Sequence, residues 1–412
     1  MNRPVVVCNA FSDDNKGGSA ITQQTIDWVK RHFPGNPVFL VPVVQSGGYE
    51  EHQHRFTLRR HPDATVVQSP IRAGHSSWAT AQALARSLAL LWRRPGGDAF
   101  ERTLAGADVV VSKGGYVFVE RESSAGLLSL WFTAFPLVYA ARKGVRTVVL
   151  CTTVGPFRRR GSRLLARWIL RRVDLVVTRD PLSTEQARDL GCARVLECPD
   201  IALTFAPNGA GGSGQPLPAG RFACLVVSAE RRKPDERFLR RLGELSRRML
   251  DERVVERALV VVQSEEDRAL SARFVERCGD PRITLLGGDL APEELVEVYG
   301  AAELVITKRL HAGLFAMLAG TPVLMFSTDG VKSDGILEQL EMSDRLLPYP
   351  DFSLDEAWRR IQEIRHDGVR EVERIRRTIG RGRREAEAAL DRVAVALQGV
   401  EAGGLDAGVP IA

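Results

Sequence analysis

A chain of 412 residues is too long for one ordinary domain, so two are expected. Its 44% hydrophobic and 26% charged residues are ordinary for a soluble globular protein and set aside a membrane-embedded class. The formal net charge of +6 suits anionic small ligands, nucleic acid or an anionic membrane surface and does not choose among them.

Pro4 to Ala10 reads as a first strand, Asp13 to Ser19 as a Gly-rich turn and Ala20 to Arg31 as a helix. Val38 to Val44 is a second strand. Ser46 to Pro62 is polar, carries His52, His54 and His61 without metal-ligand context, and reads as a loop. Ala64 to Gln68 is a third strand, and His75 to Arg94 a helix that His75 caps or flanks. Ala107 to Ser112 is a fourth strand, ending in Lys113-Gly114-Gly115. Ser124 to Arg142 is a helix. Its apolar run contains Gly126, Ser129, Thr133 and Pro136, which fits a buried helix better than a membrane span. Val145 to Cys151 is a strand that runs into a turn from Thr152 to Phe157. Gly161 to Arg172 is a helix and Asp174 to Thr178 a strand. Arg179-Asp180-Pro181 then opens a helix to Leu190, with Pro181 suited to the first helical position. Strands alternating with helices in this way predict a mostly parallel, doubly wound sheet.

Ala206 to Gly220 is the clearest linker. The alternation then restarts with strands at Phe222 to Ser228, Ala258 to Gln263 and Ile283 to Leu286. Helices at Asp235 to Leu250, Glu265 to Cys278 and Pro292 to Tyr299 fall between and after them. The fold class is therefore α/β, with two Rossmann-like domains, a cleft between them as in GT-B proteins, and C-terminal helices. The expected boundaries are 1–206 for the N-terminal domain, 207–219 for the linker and 220–350 for the C-terminal domain. Terminal helices cover 351–398, opened by a Ser353–Glu356 capping box and broken near Arg365. A disordered tail covers 399–412.

The stretch Glu303 to Gly335 organises the second half. A β-branched strand, Glu303 to Thr307, ends in Lys308, Arg309 and His311. An apolar helix from Ala312 to Ala319 follows, then Gly320-Thr321-Pro322 and a strand from Val323 to Phe326. Two cations and an imidazole thus meet at a strand's C-terminal end and a helix's N-terminus, where open α/β sheets bind ligands and where N–H groups favour anions. Lys332 returns on the loop after the next strand, at the same edge. The flanking cations favour a neutral His311, and a bound phosphate would reverse that and make it a proton donor.

Other candidates carry two readings each. Asn15, Lys16, Gly17 and Gly18 form a ligand loop or a plain tight turn, matching neither common phosphate-loop pattern. Lys113, Gly114 and Gly115 admit the same pair. Arg158 to Arg160 read as a solvated basic surface. Arg179 grips a carboxylate or pairs with Asp180 or Asp174. Asp200 orients a cation, acts as a base, or only shapes a turn. Of the 57 basic residues only seven are lysine, and four of them (Lys16, Lys113, Lys308 and Lys332) stand in Gly-rich or strand-end turns. Six cysteines form no Cys-x-x-Cys pair, so neither a zinc site nor a disulfide framework is expected. That cysteine usage, and an N-terminus that starts directly as a strand, point to the cytoplasm.

Asn15-Lys16-Gly17-Gly18, Lys113-Gly114-Gly115, Val154-Gly155-Pro156-Phe157, Arg179-Asp180 with Ser183, Pro199-Asp200 and Arg309-Leu310-His311 occur in an order that resembles the polysaccharide pyruvyl transferase family. The likeness spans roughly residues 5–340. It implies transfer of the enolpyruvyl part of phosphoenolpyruvate onto two sugar hydroxyls, as a ketal, in polysaccharide biosynthesis of the cell envelope. It further implies His311 as catalytic residue and Arg179 as a donor contact, with Lys308, Arg309 and Lys332 completing an anion site. The Gly-rich loops and Asp200 are left for acceptor or phosphate, on the N-terminal side. Two departures stand out. Gly-Gly-Ser replaces the family's usual Gly-Asp-Glu/Ala after the first Asn, and Lys308 stands where a Ser often precedes Arg-Leu-His.

No cofactor or metal is demanded, because arginine and lysine can stabilise a leaving phosphate. The partners expected are phosphoenolpyruvate and a glycan acceptor, lipid-linked or free, without nucleic acid, since aromatics do not interleave with the basic clusters. Gly161 to Arg172 mixes Trp168, leucines and arginines, so peripheral contact with a membrane is a further expectation beside a sheet-packing helix with a solvated basic face. The rival reading is a GT-B glycosyltransferase using a nucleotide sugar. Such enzymes commonly hold the ribose with a Glu at the position occupied here by Phe315, which accepts no hydrogen bond.

Overall fold

The computed structural model describes residues 2–43, 51–71, 76–93, 96–120, 126–206, 217–229, 235–327 and 332–399, with Glu51, Lys332 and Ser333 described in backbone only. The expectations for His75, for most of the linker and for the tail beyond Gly399 lie outside these residues.

The strands in chain order are β1 Val5–Ala10, β2 Val38–Pro42, β3 Thr65–Val66, β4 Val109–Ser112, β5 Gly115–Phe118, β6 Arg146–Val154 and β7 Leu175–Thr178. They continue with β8 Val195–Glu197, β9 Phe222–Val226, β10 Arg257–Val260, β11 Ile283–Leu285, β12 Leu304–Thr307, β13 Val323–Ser327 and β14 Leu346–Pro348. The first sheet has the order β3-β2-β1-β4-β6-β7-β8, with β5 against β6. The second has the order β11-β10-β9-β12-β13-β14. Every strand pair between them is parallel. Runs such as Val5-Val6-Val7 and Leu304-Val305-Ile306 are buried throughout, as strands covered on both faces must be. Both sheets reverse their order once, between β1 and β4 and between β9 and β12. These are the switch points where doubly wound sheets take ligands.

The chain divides into two compact units. Unit 1 comprises 1–12, 21–201 and 386–412, and unit 2 comprises 13–20 and 202–385. The first-turn segment 13–20, read above with the N-terminal half, thus belongs to unit 2. In unit 1 the helix Gly126–Arg142 is buried along nearly its whole length, Pro136 included, and packs into the main core. No described helix is long and apolar enough to cross a membrane. In unit 2 the core gathers the sheet around Phe238, Phe326 and Phe352. The two terminal helices run as Leu354–Gln398, broken at Gly368 with φ 32° and ψ −98°.

Local chemistry moved several boundaries. The helix after β1 spans Lys16–His32, so the expected Gly-rich turn is its first turn. Asn15 caps it, accepting from Gly18 N at 3.1 Å. The helix after β12 starts at Leu310, which puts His311 inside its first turn. Elements not anticipated include the helix Ala99–Gly106, capped by Asp98 on Glu101 N at 2.9 Å, strand β5, strand β14, and the helix Lys332–Gln339, which stands where Lys332 was expected on a loop. Strand β6 runs on through Thr152 to Val154 instead of turning there. Within the expected polar loop, Glu51–His54 and Arg55–Arg60 are helical, and His61 is buried beyond them.

His61 has a consequence for stability. Burial first, then the Lys30 and Arg60 charges, push its imidazole down to about 4 against the pull of Asp27. The unfolded chain, with an ordinary value near 6.5, therefore takes up the proton first as pH falls. The stability is complete above about pH 7 and drains away between there and pH 4, by up to about 3 kcal/mol. The urea midpoint measured at pH 7.5 and pH 4.5 should fall less in His61→Gln than in the wild type. An equal fall would remove His61 as the cause.

Candidate functional site

In unit 2 the site is built on the C-terminal end of β12, at the switch point with β9. Thr307 Oγ1 accepts Arg309 N at 2.8 Å and turns the chain from strand to helix. Arg309 sits at the helix cap and sends its guanidinium back as a fork onto Asp267, Nε to Oδ2 and Nη2 to Oδ1, both 2.7 Å. Glu266 takes a further bond at 2.7 Å. Burial would lower the Arg309 pKa, but Asp267 more than reverses this and holds it above its ordinary value, so the guanidinium stays charged. Asp267 also accepts Ala229 N, just past β9, at 2.7 Å. Lys308 is nearly buried, with Nζ 4.0 Å from the Tyr349 ring centre.

The first turn of helix Lys16–His32 lies against His311. A Cβ added to Gly17 would fall 2.5 Å from His311 Cβ and Cγ and 2.6 Å from Nδ1, so glycine is required by close approach. Three contacts hold that turn in place. Lys16, 2% exposed, reaches Asp289 Oδ1 at 2.6 Å and Asp13 O at 3.1 Å. Lys16 N donates to Gln263 O at 3.2 Å, and Glu265 N to Asp14 O at 3.0 Å, around an antiparallel bridge of Asn15 with Ser264. Gln263 is itself fixed by Tyr299 Oη at 2.7 Å. Asn15, Lys16, Gly17, Gly18, Lys308, Arg309 and His311 are thereby gathered in one unit. Lys332 opens the helix Lys332–Gln339 that follows the neighbouring strand β13.

Lys113, Gly114, Gly115, Arg179 and Asp200 belong to unit 1, at the strand ends around its own switch point. Asn9 bulges out of β1 at φ 61° and donates to Ser112 Oγ at 2.9 Å. Cys151 bulges out of β6 at φ 43°. A Cβ on Gly114 would meet the carbonyl oxygens of Leu150 and Cys151 at 2.8 Å, so this glycine too answers to a close approach. Lys113 is 2% exposed and places Nζ 4.9 Å from the Phe11 ring centre.

Arg179 departs most from expectation. It is wholly buried, with Nη1 on Asp200 Oδ2 at 2.6 Å and Nε on Thr153 Oγ1 at 2.8 Å, while Nη2 has no partner among the described residues. Its carboxylate is Asp200, not Asp180 or Asp174. Asp180 instead caps the next helix through Ser183, and Asp174 bonds Thr147. Arg179 and Asp200 form one buried ion pair. Sequence reasoning missed Asp267 and Asp289. The acidic run Glu265-Glu266-Asp267 directly after a strand was the available signal for the first, and Asp289 offered none. Among the described residues, no three His, Cys, Asp or Glu side chains could together hold a metal ion.

The sequence profile of a family described as polysaccharide pyruvyl transferase matches residues 15–330. No protein of curated function matches by sequence. Among solved structures, a putative UDP-N-acetylglucosamine 2-epimerase from Listeria monocytogenes is similar at TM-score 0.60 and 12% identity, over 95% of each chain. The glycotransferase of kitacinnamycin is similar at TM-score 0.57 and 12% identity, over 96% of this chain and 99% of that one. At such identities the likeness concerns the fold alone, which is GT-B-like, with two Rossmann-like domains.

Two substitutions test how this end of β12 is held. Asp267→Ala leaves the largely buried Arg309 guanidinium with Glu266 alone and should lower stability by about 1–3 kcal/mol in urea unfolding. A loss below 1 kcal/mol would mean that Arg309 finds its charge partner elsewhere. Ala is ordinarily the better helix residue, yet Gly17→Ala should destabilise by about 1–3 kcal/mol through the clash with His311. A stabilised Gly17→Ala protein would disprove the close approach.

Proposed function

The chain belongs to the polysaccharide pyruvyl transferase family, and on that premise we propose that it moves the enolpyruvyl group of phosphoenolpyruvate onto two hydroxyls of a glycan acceptor, releasing phosphate. The observation that carries this reading is the constellation at the C-terminal end of β12. There His311, Lys308 and the fixed Arg309 stand at a switch point, and the first turn of another helix lies against the imidazole. The N-terminal end of the helix after β12 and the nearby Lys308 ammonium favour an anion there.

The proposed reaction balances as follows. A proton is added to the methylene carbon, and one sugar hydroxyl adds to the neighbouring carbon. The C–O bond to phosphate breaks, and the second hydroxyl adds to the resulting cation. Of the two hydroxyl protons released, one replaces the proton given to carbon and one leaves with phosphate. His311 is assigned the proton donation, Lys308 and Lys332 the phosphate charge. Arg309 is assigned the field and the positioning, because its fork is already taken by Asp267. Arg179 and Asp200 support their own strand ends in this scheme. A nucleotide-sugar donor would need a carboxylate where Phe315 stands, and that ring is fully buried and stacked 5.7 Å from Phe205.

Phosphoenolpyruvate should raise the melting temperature, worth about 2.7 kcal/mol at a hundredfold excess over Kd. His311→Ala should cut phosphate release in the presence of acceptor by about two to four orders of magnitude while leaving most of the thermal shift. Stabilisation by nucleotide sugars and none by phosphoenolpyruvate would overturn the donor. A folded His311→Asn protein turning over at the wild-type rate would leave His311 as a helix-start residue only.

A further inference from the structure

We propose that one face of unit 1, formed by the helices Ser77–Trp92, Gly126–Arg142 and Arg160–Leu170, docks on a bilayer surface that carries anionic headgroups. The proposal does not depend on the reaction assigned above. The three helices form one continuous layer. Trp131 of the central helix donates Nε1 to Ser87 Oγ of the first at 2.8 Å, and its ring centre lies 6.1 Å from that of Trp168 on the third. Leu127 abuts Gly161 across the same seam.

The outer side of this layer is apolar where a solvated helix would be polar. Trp92 is 78% exposed, Trp78 72% and Leu164 66%, with Leu88, Leu127 and Trp168 also exposed. Exposed apolar side chains of this size on one helical layer mark an interaction surface. Its charge is of one sign. None of the three helices contains an Asp or Glu, while Arg160, Arg163, Arg167 and Arg171 follow one another along the third. Glu101 and Glu120, close to these helices in sequence, are turned onto backbone N–H groups, Glu101 onto Gly97 at 2.6 Å and Glu120 onto Arg159 at 3.0 Å.

The arginines and tryptophans are interleaved. Arg163 and Arg167 flank Leu164 and Trp168 on adjoining rows of the helix. Arg172 lies 3.9 Å over the Trp168 ring, and Arg142 lies 3.8 Å over the Trp92 ring. Tryptophan prefers the headgroup level of a bilayer, leucine the acyl boundary just below it, and guanidinium the lipid phosphates. Charge complementarity selects this occupant. A two-fold contact with a second copy would press the arginine-rich face against its own like. A nucleic acid would leave the leucines without a partner.

The full chain should co-sediment at low salt with vesicles of phosphatidylcholine and phosphatidylglycerol, and not with phosphatidylcholine alone. High salt should release it, and binding should shift its tryptophan emission to the blue. Arg163→Glu with Arg167→Glu should weaken binding by about tenfold or more, since each surface arginine contributes to attraction by the anionic leaflet. Trp92→Ser with Leu164→Ser should weaken it and reduce the blue shift. All four positions are exposed, and urea midpoints matching the wild type would establish that the variants fold. Failure of the wild type to co-sediment at low salt would overturn the proposal, as would undiminished binding by the charge-reversal variant. It would also be overturned if the substitutions changed only the mass of the free protein at sedimentation equilibrium, because the face would then join two copies.

Discussion

The arrangement at the end of β12 depends on one carboxylate. Asp267 takes the Arg309 fork from the exit of β12 and the Ala229 N–H from the exit of β9, and it stands itself just past β10. Three adjacent strands of the second sheet are therefore tied at their C-terminal ends through two oxygen atoms. A parallel sheet supplies no such tie from its own ladder, which stops where the strands stop. The bidentate geometry matters here, because it fixes direction as well as distance. With Arg309 held at the helix cap, the start of the following helix is fixed, and with it the position of His311 two residues on. A charged pair this deeply buried contributes little net stability. What it contributes is geometry.

That geometry is closed from a second side by the absence of an atom. Gly17 brings backbone to within a side chain's breadth of the His311 ring. Helix interiors disfavour glycine by about 1 kcal/mol relative to alanine. The cost is tolerated at the first turn, where Asn15 caps the helix and Lys16 on Asp289 anchors it. The segment 13–20 thus leaves the strand order of its own half and packs with residues some 250 to 300 positions later. The helix start thus packs directly on the imidazole, with its positive partial charge close by.

Much of this was legible in the sequence because it is written in local chemistry. Alternating β-branched runs and helices gave the strands, and parallel burial made those runs continuous instead of alternating. The cation cluster after β12, Pro181 at a helix start and the cap at Ser353 were equally local. What escaped was of two kinds. Short elements such as β5 and the helix Ala99–Gly106 fall between stronger signals, and β5 is held by β6 pairing, not by its own pattern. Partner choice across the chain was the other. The single bond of Arg179 to Asp200 and the fork of Arg309 on Asp267 join residues 21 and 42 positions apart. Nothing in the spacing tells an arginine awaiting a ligand from one already satisfied. Arg179 holds Asp200 with Nη1, while its Nη2 has no partner among the described residues.

The contrast between arginine and lysine carries the argument one step further. In a chain whose basic residues are overwhelmingly arginine, the buried guanidiniums of Arg179, Arg309 and Arg345 all make charge-assisted bonds to carboxylates, on Asp200, Asp267 and Glu371. The buried lysines behave differently. Lys16 meets a single carboxylate oxygen of Asp289, and Lys113 and Lys308 place their ammonium groups near the rings of Phe11 and Tyr349. An aromatic face fixes a cation's position without neutralising its charge, whereas a carboxylate fork does both. Arg179 and Arg309 thus pair with carboxylates at their strand ends, while Lys308 lies against an aromatic face. Arginine and lysine are therefore not interchangeable in this chain, where the planar fork meets carboxylates and the point charge is placed beside aromatic rings.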